Sequence, residues 1–148
     1  MKLSHSLAAL VLAACAAAPA FALEFRSVKE TGVSLYDAPA LNAKKLFVVS
    51  RYYPVEVLAT QKEWARVRDA SGGIAWIPAA ALSVQRMLIV TAAQAEVRTA
   101  ASDSAPLAYR LDKDAVVELL EPAQAGWVRV KHRDGAAGFV RINTLWGV

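Results

Sequence analysis

The sequence predicts an all-β chain built from two tandem copies of one small unit. Short runs of β-branched and aromatic residues recur along the chain, separated by Pro, Gly, Asp and Ser. No stretch carries an apolar stripe of helical period over three turns. The second half also repeats the first in order and spacing. Strands this short, about 8–12 residues apart, are typical of a small barrel or sandwich.

The first 22 residues predict a secretory signal peptide. Lys2 is followed by an apolar run and then by small residues that end at Ala20-Phe21-Ala22, the A-x-A pattern of a cleavage site. The apolar run is too short and too rich in alanine for a membrane span. Cleavage after Ala22 would place the protein in the periplasm or outside the cell. An alternative stays open, since Leu12-Ala13-Ala14-Cys15 resembles the lipobox of bacterial lipoproteins, in which Cys15 would be lipidated and would anchor the chain.

The cysteine count and the net charge limit the kinds of partner and of functional site that we expect. Cleavage after Ala22 would remove Cys15, the single cysteine, and with it any disulfide, thiolate nucleophile or cysteine metal site. The formal net charge of +4 is mild, and no dense tract of Lys or Arg occurs, so nucleic acid is not an expected partner. The charge is compatible with an anionic partner such as the cell wall, although ordinary solubility explains it as well.

The repeat consists of two blocks that align without gaps. Trp64–Leu82 aligns with Trp127–Leu145, and Val33–Leu58 aligns with Ala95–Leu120. The length difference falls between the blocks, where a turn tolerates it. We therefore predict a first unit over residues 23–82, a join at 83–86 and a second unit over 87–148. So short a join predicts that the two units pack against each other.

The strands follow in order along each unit. We expect FRSV, GVSLY, KLFVV, PVEVL, WARVR and IAWI in the first unit, and MLIVT, AEVR, LAYRL, AVVELL, WVRVK and GFVRI in the second. AVVELLEPA could also be helical, but its β-branched start and its alignment with PVEVLAT favour a strand. Asp134-Gly135 predicts a two-residue type I′ hairpin turn, and Ser71-Gly72-Gly73 predicts the same turn in the first unit.

These segments resemble the bacterial SH3-like domain. GWVRVKHRDGAAGFVRINTL is similar to the end of such a domain, which reads Gly-Trp, a Val strand, a Gly turn and Gly-aromatic-Val. AEVRTAASDSAP resembles its opening segment and KDAVVELLE its central strand, while SLYDAPA and AWIPAAAL occupy equivalent places in the first unit. The resemblance covers residues 32–82 and 94–145. It implies two tandem small SH3-like half-open β-barrels of about five short strands each, in a secreted bacterial protein.

The resemblance also implies a function. Members of this family are mostly binding modules, and many attach to peptidoglycan or its peptide stems. It therefore implies recognition of cell-wall peptidoglycan, through peptide or glycan. We separately expect a monomer with no cofactor and no transmembrane segment in the mature chain. A protein–protein adaptor of the periplasm is the alternative, and an accessory factor of an enzyme ranks third. Proline-rich ligands are not expected, because Ala38-Pro39 and Ala81 stand where eukaryotic SH3 domains place groove tyrosines.

Catalytic motifs are not recognisable. His132-Arg133-Asp134 matches the triplet of the protein-kinase catalytic loop, but the following Asn, the glycine-rich phosphate loop and D-F-G are missing. His132 would be the only histidine left after cleavage, which makes a poor metal site, and no nucleophile motif accompanies it. Asp112-Lys113-Asp114 is typical of a charged turn. We expect no catalytic residues and no metal.

A binding groove is best sought among the aromatic residues. If the valines of WARVR and WVRVK face the barrel cores, Trp64 and Trp127 point outward beside arginines, where they could hold a ligand by stacking and cation–π contacts. Alternatively, each of these two tryptophans covers a barrel end or the join. We expect Trp146, near the C-terminus, to dock back onto the second barrel. The candidate groove residues are Tyr36, Tyr52, Trp64, Arg66, Trp76, Pro78, Tyr109, Trp127, Arg129 and Phe139.

Overall fold

The computed structural model describes residues 22–148. The predicted signal peptide up to residue 21, together with Cys15 and its alternative lipidation, lies outside the described residues. Within residues 22–148, no helix has the length and apolar character that crossing a membrane would require.

The first copy forms an antiparallel sheet of seven strands. They are β1 (Phe25–Val28), β2 (Val33–Tyr36), β3 (Lys45–Val49), β4 (Pro54–Gln61), β5 (Trp64–Arg68), β6 (Ile74–Pro78) and β7 (Leu82–Ser83). Hydrogen-bonded neighbours run in the order β3-β2-β6-β5-β4-β1-β7. A 3-10 turn at Ala79–Ala81 separates β6 from β7.

The second copy repeats this arrangement. Its strands are β8 (Met87–Val90), β9 (Gln94–Arg98), β10 (Leu107–Asp112), β11 (Val116–Leu119), β12 (Trp127–Lys131), β13 (Ala137–Arg141) and β14 (Leu145–Trp146). Their order, β10-β9-β13-β12-β11-β8-β14, is that of the first sheet, and a 3-10 turn at Ile142–Thr144 precedes β14. The prediction of an all-β tandem repeat is confirmed. AVVELL forms the strand β11, not a helix.

Each copy has its own apolar core, built by the alternation of side chains along its strands. In β5, Ala65 and Val67 are buried in the first core, while Arg66 between them is exposed. In β12, Val128 and Val130 are buried in the second core in the same way. Because burial of a valine side chain contributes about 1.5–3 kcal/mol, the inward valines dominate the stability of barrels this small.

The hairpin turns are one residue longer than predicted. Gly135 N donates to His132 O at 2.9 Å and His132 N donates to Ala136 O at 2.8 Å, which leaves the loop Arg133-Asp134-Gly135. A type I′ turn needs a positive φ at both central residues, but here Gly135 alone adopts one, at 92°. The first copy makes the same three-residue loop between Asp69 and Gly73. HRD is thus the entrance to a hairpin that both copies share.

The join brings the two barrels into contact. Leu88 and Val90 of β8 lie in the second core, whereas Met87 and Ile89 on the opposite face are also buried, 7% and 5% exposed, where β8 lies against β4. Across the join, Ser27 Oγ of β1 donates to the carbonyl oxygen of Gln85 at 2.8 Å. Strand β8 is therefore shielded from solvent on both faces.

The C-terminal tryptophan contacts both copies. Strand β14 pairs with β8 in the second sheet, but the ring of Trp146 packs edge-on against Phe25 of the first copy, with centroids 5.1 Å apart. The sequence predicted that Trp146 docks on the second barrel, but its ring also contacts the first barrel. Arg86 completes this contact, because its Nη2 donates to Gly147 O at 2.7 Å and its guanidinium lies 5.3 Å from the Phe25 ring centroid.

Candidate binding surfaces of the two copies

Five candidate residues of the first copy share the outer surface of one sheet. Trp64 on β5 faces Pro78 on β6, Arg66 faces Trp76, and Trp76 in turn faces Tyr36 on β2. Side chains of directly opposed residues lie on the same side of a sheet, so strand pairing alone brings these five together. We call Tyr36, Trp64, Arg66, Trp76 and Pro78 the first face.

The first face is aromatic, open and positively charged. The ring of Tyr36 is only 7% exposed because it meets the Trp64 ring edge-on, at 5.4 Å and 87°. Trp64 and Trp76 remain half-buried, and Arg66 is exposed. Arg66 has no acidic partner within ion-pair distance in residues 22–148. The rings of Trp64 and Trp76 therefore lie beside Arg66, whose positive charge has no acidic partner among residues 22–148, and the Trp64 ring is held in place by Tyr36.

The corresponding surface of the second copy contains two arginines that the sequence reasoning missed. Arg129 on β12 faces Phe139 on β13, and Trp127 faces Arg141. Phe139 also faces Arg98 on β9. The repeat alignment held the signal for both, since Arg98 stands at the position of Tyr36 and Arg141 at the position of Pro78. We call Arg98, Trp127, Arg129, Phe139 and Arg141 the second face.

The second face is closed by ion pairs. Trp127 is only 7% exposed, and Arg141 Cζ lies over its ring at 4.5 Å from the centroid. Arg141 is held there by Asp103, to whose Oδ1 its Nε donates at 3.2 Å and whose Oδ2 pairs with its Nη2. The hydrogen bond from Arg141 lowers the pKa of the Asp103 carboxyl, and the positive charges of Arg141 and Arg98 act in the same direction. Arg129 in turn pairs with Glu121 at 3.0 Å.

The two faces differ because the closing pair is absent from the first copy. Leu41 aligns with Asp103 and Pro78 aligns with Arg141. Leu41 is 75% exposed and carries no charge, so the Arg–Asp bridge has no counterpart beside Trp64. The first face is therefore open to a ligand, whereas Trp127 is covered by the chain itself.

The structure does not bring Tyr52 and Tyr109 to either face. Tyr52 lies in the β3–β4 turn with a φ of 72°, under the guanidinium of Arg51 at 4.7 Å, beside a cleft of about 560 Å³ between the copies. Tyr109 packs against the second core and donates its hydroxyl to Ala136 O at 2.8 Å. Burial, and then the charge of Asp134, raise the pKa of Tyr109.

Among residues 22–148, the ionisable side chains outside these faces do not assemble into a metal site. Within residues 22–148, no group of three or more His, Cys, Asp or Glu is placed to hold a metal ion. His132 lies at the hairpin, where its Nδ1 is 3.2 Å from Asp134 Oδ1. The pKa of Asp134 is lowered chiefly because its carboxylate accepts a hydrogen bond from the backbone N–H of Ala136.

The two sheets coincide with two matches to one family. Two family models, both described as bacterial SH3 domain, match residues 31–83 and residues 91–147. The chain belongs to the bacterial SH3 domain family. The resemblance read from the sequence is confirmed, and the family is present as a tandem pair, one domain in each sheet.

Three solved structures show a distant likeness to this chain. None of the curated proteins compared with it matches. The solved structure of NlpC2 from Trichomonas vaginalis is 18% identical with a TM-score of 0.39, over 84% of this chain and 48% of that chain. NlpC1 from the same organism is 16% identical with a TM-score of 0.40, over 88% and 48%.

An NlpC/P60 family protein from Bacillus cereus ATCC 10987 is 15% identical with a TM-score of 0.37, over 82% of this chain and 55% of that chain. The bacterial SH3 tandem thus spans about half the length of these solved structures. Likenesses at such low identity and TM-score bear on neither the activity nor the partners of this chain.

Proposed function

We propose that the bacterial SH3 tandem is a non-catalytic binding module of the bacterial envelope that recognises peptidoglycan, through its peptide or its glycan, on the first face. The proposed location is the periplasm or the cell exterior. The observation that carries the proposal is the contrast between the copies, since Trp64 and Trp76 are accessible beside an unpaired Arg66, whereas Trp127 is covered.

The chemistry of the first face suits a wall polymer. Indole rings offer a flat apolar surface for sugar rings or short side chains, and the neighbouring Arg66 can bind a carboxylate. The edge-to-face contact with Tyr36 fixes the Trp64 ring before any ligand arrives, which lowers the entropy lost on binding. The net charge, +4 for the full sequence and 16 − 13 = +3 once Lys2 is removed with the signal peptide, adds a weak long-range attraction to an anionic polymer.

Co-sedimentation with washed peptidoglycan tests the proposal. The purified mature chain should sediment with the polymer at low salt, and Trp76→Ala or Arg66→Glu should lower the bound fraction several-fold. Arg66 is exposed, so its replacement leaves the core intact and separates lost binding from lost folding. Val84→Ala, at a residue 76% exposed in the join, is the control that should bind like the native chain. Absence of sedimentation by the native chain at low salt would refute the proposal.

A second candidate, the envelope adaptor, rests on the exposed edge strand β3. Strand β3 ends the order of the first sheet, and its Leu46, Phe47 and Val48 are 41%, 41% and 61% exposed. Edge strands of natural proteins are usually guarded by charges, and an apolar one can accept an added strand from a partner. The matching strand β10 carries Arg110, which lies 3.7 Å from Glu96.

Crosslinking in envelope extract distinguishes this candidate from the first. A protein partner bound along β3 should be crosslinked by the native chain and lost in Val48→Lys, while that variant still sediments with peptidoglycan. If Arg66→Glu removes the crosslinked partner and Val48→Lys does not, the first face and not the strand edge holds that partner.

A further inference from the structure

The second copy contains a small cleft that is lined in part by Trp127. The cleft has a volume of about 210 Å³, and Arg98, Asp103, Arg141 and Asn143 are among its walls. A cleft of this volume can accept a small acid group with a short side chain.

Arg141 presents its guanidinium in this cleft in the geometry that recognises carboxylates. The group lies over the Trp127 ring, with Cζ at 4.5 Å from the centroid, and directs Nε and Nη2 toward the two oxygens of Asp103. Two parallel N–H donors meeting two oxygens form the bidentate arrangement that arginine uses for carboxylate ligands. We propose that this cleft is a binding site for a ligand carboxylate, and that the side chain of Asp103 occupies it in the unliganded protein.

Asp103 can leave the site without disturbing the fold. Its side chain is 72% exposed, at a turn whose backbone is held by Ala105 N donating to Ser102 O at 3.1 Å. Arg98 Nη1 also donates to Ala105 O at 2.8 Å. Rotation of the Asp103 side chain is therefore enough to free Arg141. Ion pairs as exposed as this one contribute little stability, so a ligand carboxylate can compete with Asp103.

The charges around the cleft favour a single negative charge. Arg98 is paired with Glu96, its Nη2 lying 2.5 Å from Glu96 Oε2. Once Asp103 turns away, Arg141 is the cation that lacks a partner among the described residues lining the cleft. A peptide C-terminus or another small monocarboxylate satisfies it, whereas a doubly charged phosphate would bring a second charge close to Glu96.

The site is confined to the second copy and does not depend on the proposed function of the first face. In the first copy, Leu41 stands at the position of Asp103 and Pro78 at the position of Arg141. The first copy therefore lacks both the guanidinium that would bind the ligand and the carboxylate that competes with it. Loss of peptidoglycan binding by the first face would leave this site unchanged.

Titration with a small peptide acid tests the site. N-acetyl-alanyl-alanine, and its C-terminal amide as the uncharged match, are added to the ¹⁵N-labelled mature chain, and the Trp127 indole and Arg141 Nε resonances are followed. Asp103→Ala should bind the acid about two- to fivefold more tightly than the native chain, because an exposed internal competitor has been removed. The amide should shift neither resonance, and adding Arg141→Gln to Asp103→Ala should abolish the binding.

Glu121→Ala supplies the control, since it frees Arg129 on the same face without exposing a cleft. This variant should bind the acid as the native chain does. Asp103→Ser, which keeps a turn-forming side chain, repeats the comparison if the alanine variant folds poorly. The proposal is overturned if the Asp103 variants show no saturable shift, if acid and amide bind equally, or if Glu121→Ala gains as much affinity.

Discussion

The ring of Phe25, on the first strand of the first barrel, stands edge-on to the ring of Trp146 on the last strand of the second, 5.1 Å apart and at 83°. Arg86 from the join lies over the same Phe25 ring and donates to Gly147 O. Burial, with a smaller effect of the nearby Arg26, lowers the pKa of Arg86, which places its charge at a partly desolvated point. The first strand of the first barrel, the join and the C-terminus therefore meet in one contact that holds the two barrels together.

Truncating Trp146 should uncouple the barrels. An aromatic pair of this geometry contributes about 0.5–1.5 kcal/mol beyond the area it buries, so Trp146→Ala should lower the free energy of unfolding by about 1–3 kcal/mol. Calorimetry should show one transition for the native chain and two for the variant. Val84→Ala, at a residue of the join that is 76% exposed, should keep the single transition. A single unshifted transition in Trp146→Ala would show that Phe25 and Trp146 do not couple the barrels.

Gly138 should be the least replaceable glycine of the second barrel. A Cβ at Gly138 would lie 2.4 Å from Val97 Cγ1 and 2.8 Å from Arg98 O, so β13 must approach β9 without a side chain. The aligned position of the first copy holds Ala75, which shows that this close approach belongs to the second copy. Gly138→Ala should therefore destabilise the protein by about 1–3 kcal/mol through overpacking, measured by chemical denaturation.

Gly135 offers the contrasting case. A Cβ there would meet no atom within 4 Å, and the φ of 92° is the only obstacle. Asparagine tolerates the left-handed region better than other residues with a side chain, so Gly135→Asn should cost less than about 1 kcal/mol. A loss as large in Gly135→Asn as in Gly138→Ala would contradict the prediction that crowding at Gly138 costs more than the positive φ at Gly135.

Much of the fold could be predicted from the sequence because its determinants are local or repeated. Alternation in WARVR and WVRVK places the valines inward and Trp64 outward, and the alignment of the two copies assigned AVVELL to a strand. The hairpin length was missed because the residue pair Asp134-Gly135 does not reveal that Gly135 alone takes a positive φ.

The sites were only partly predictable because their differences arise from long-range contacts. Arg141 and Asp103 are 38 residues apart, so nothing local reveals that they meet above Trp127. Tyr109 was expected in the groove, but a register irregularity between Leu107 and Tyr109 accompanies its placement against the second core. The sequence predicted most residues of the two faces. It did not predict that the first face is accessible or that Trp127 in the second face is covered by Arg141.

Lowering the pH should break the ion pair by which Asp103 holds Arg141 over the Trp127 ring. Hydrogen bonding from Arg141, aided by the charges of Arg141 and Arg98, lowers the pKa of Asp103 in the folded protein. A carboxyl with a lowered folded pKa stabilises the fold above its unfolded pKa of about 3.9, and this contribution is lost as the pH falls through the folded pKa. In a ¹³C-detected titration, the Asp103 midpoint should lie below 3.9 and return toward that value in Arg141→Gln.

Asp134 provides the internal control, because its lowered pKa depends chiefly on the backbone N–H of Ala136 and should not respond to Arg141. An Asp103 midpoint that does not change in Arg141→Gln would contradict a bridge between Arg141 and Asp103 in solution. An Asp134 midpoint that moves in the same variant would show that the substitution acts beyond this bridge.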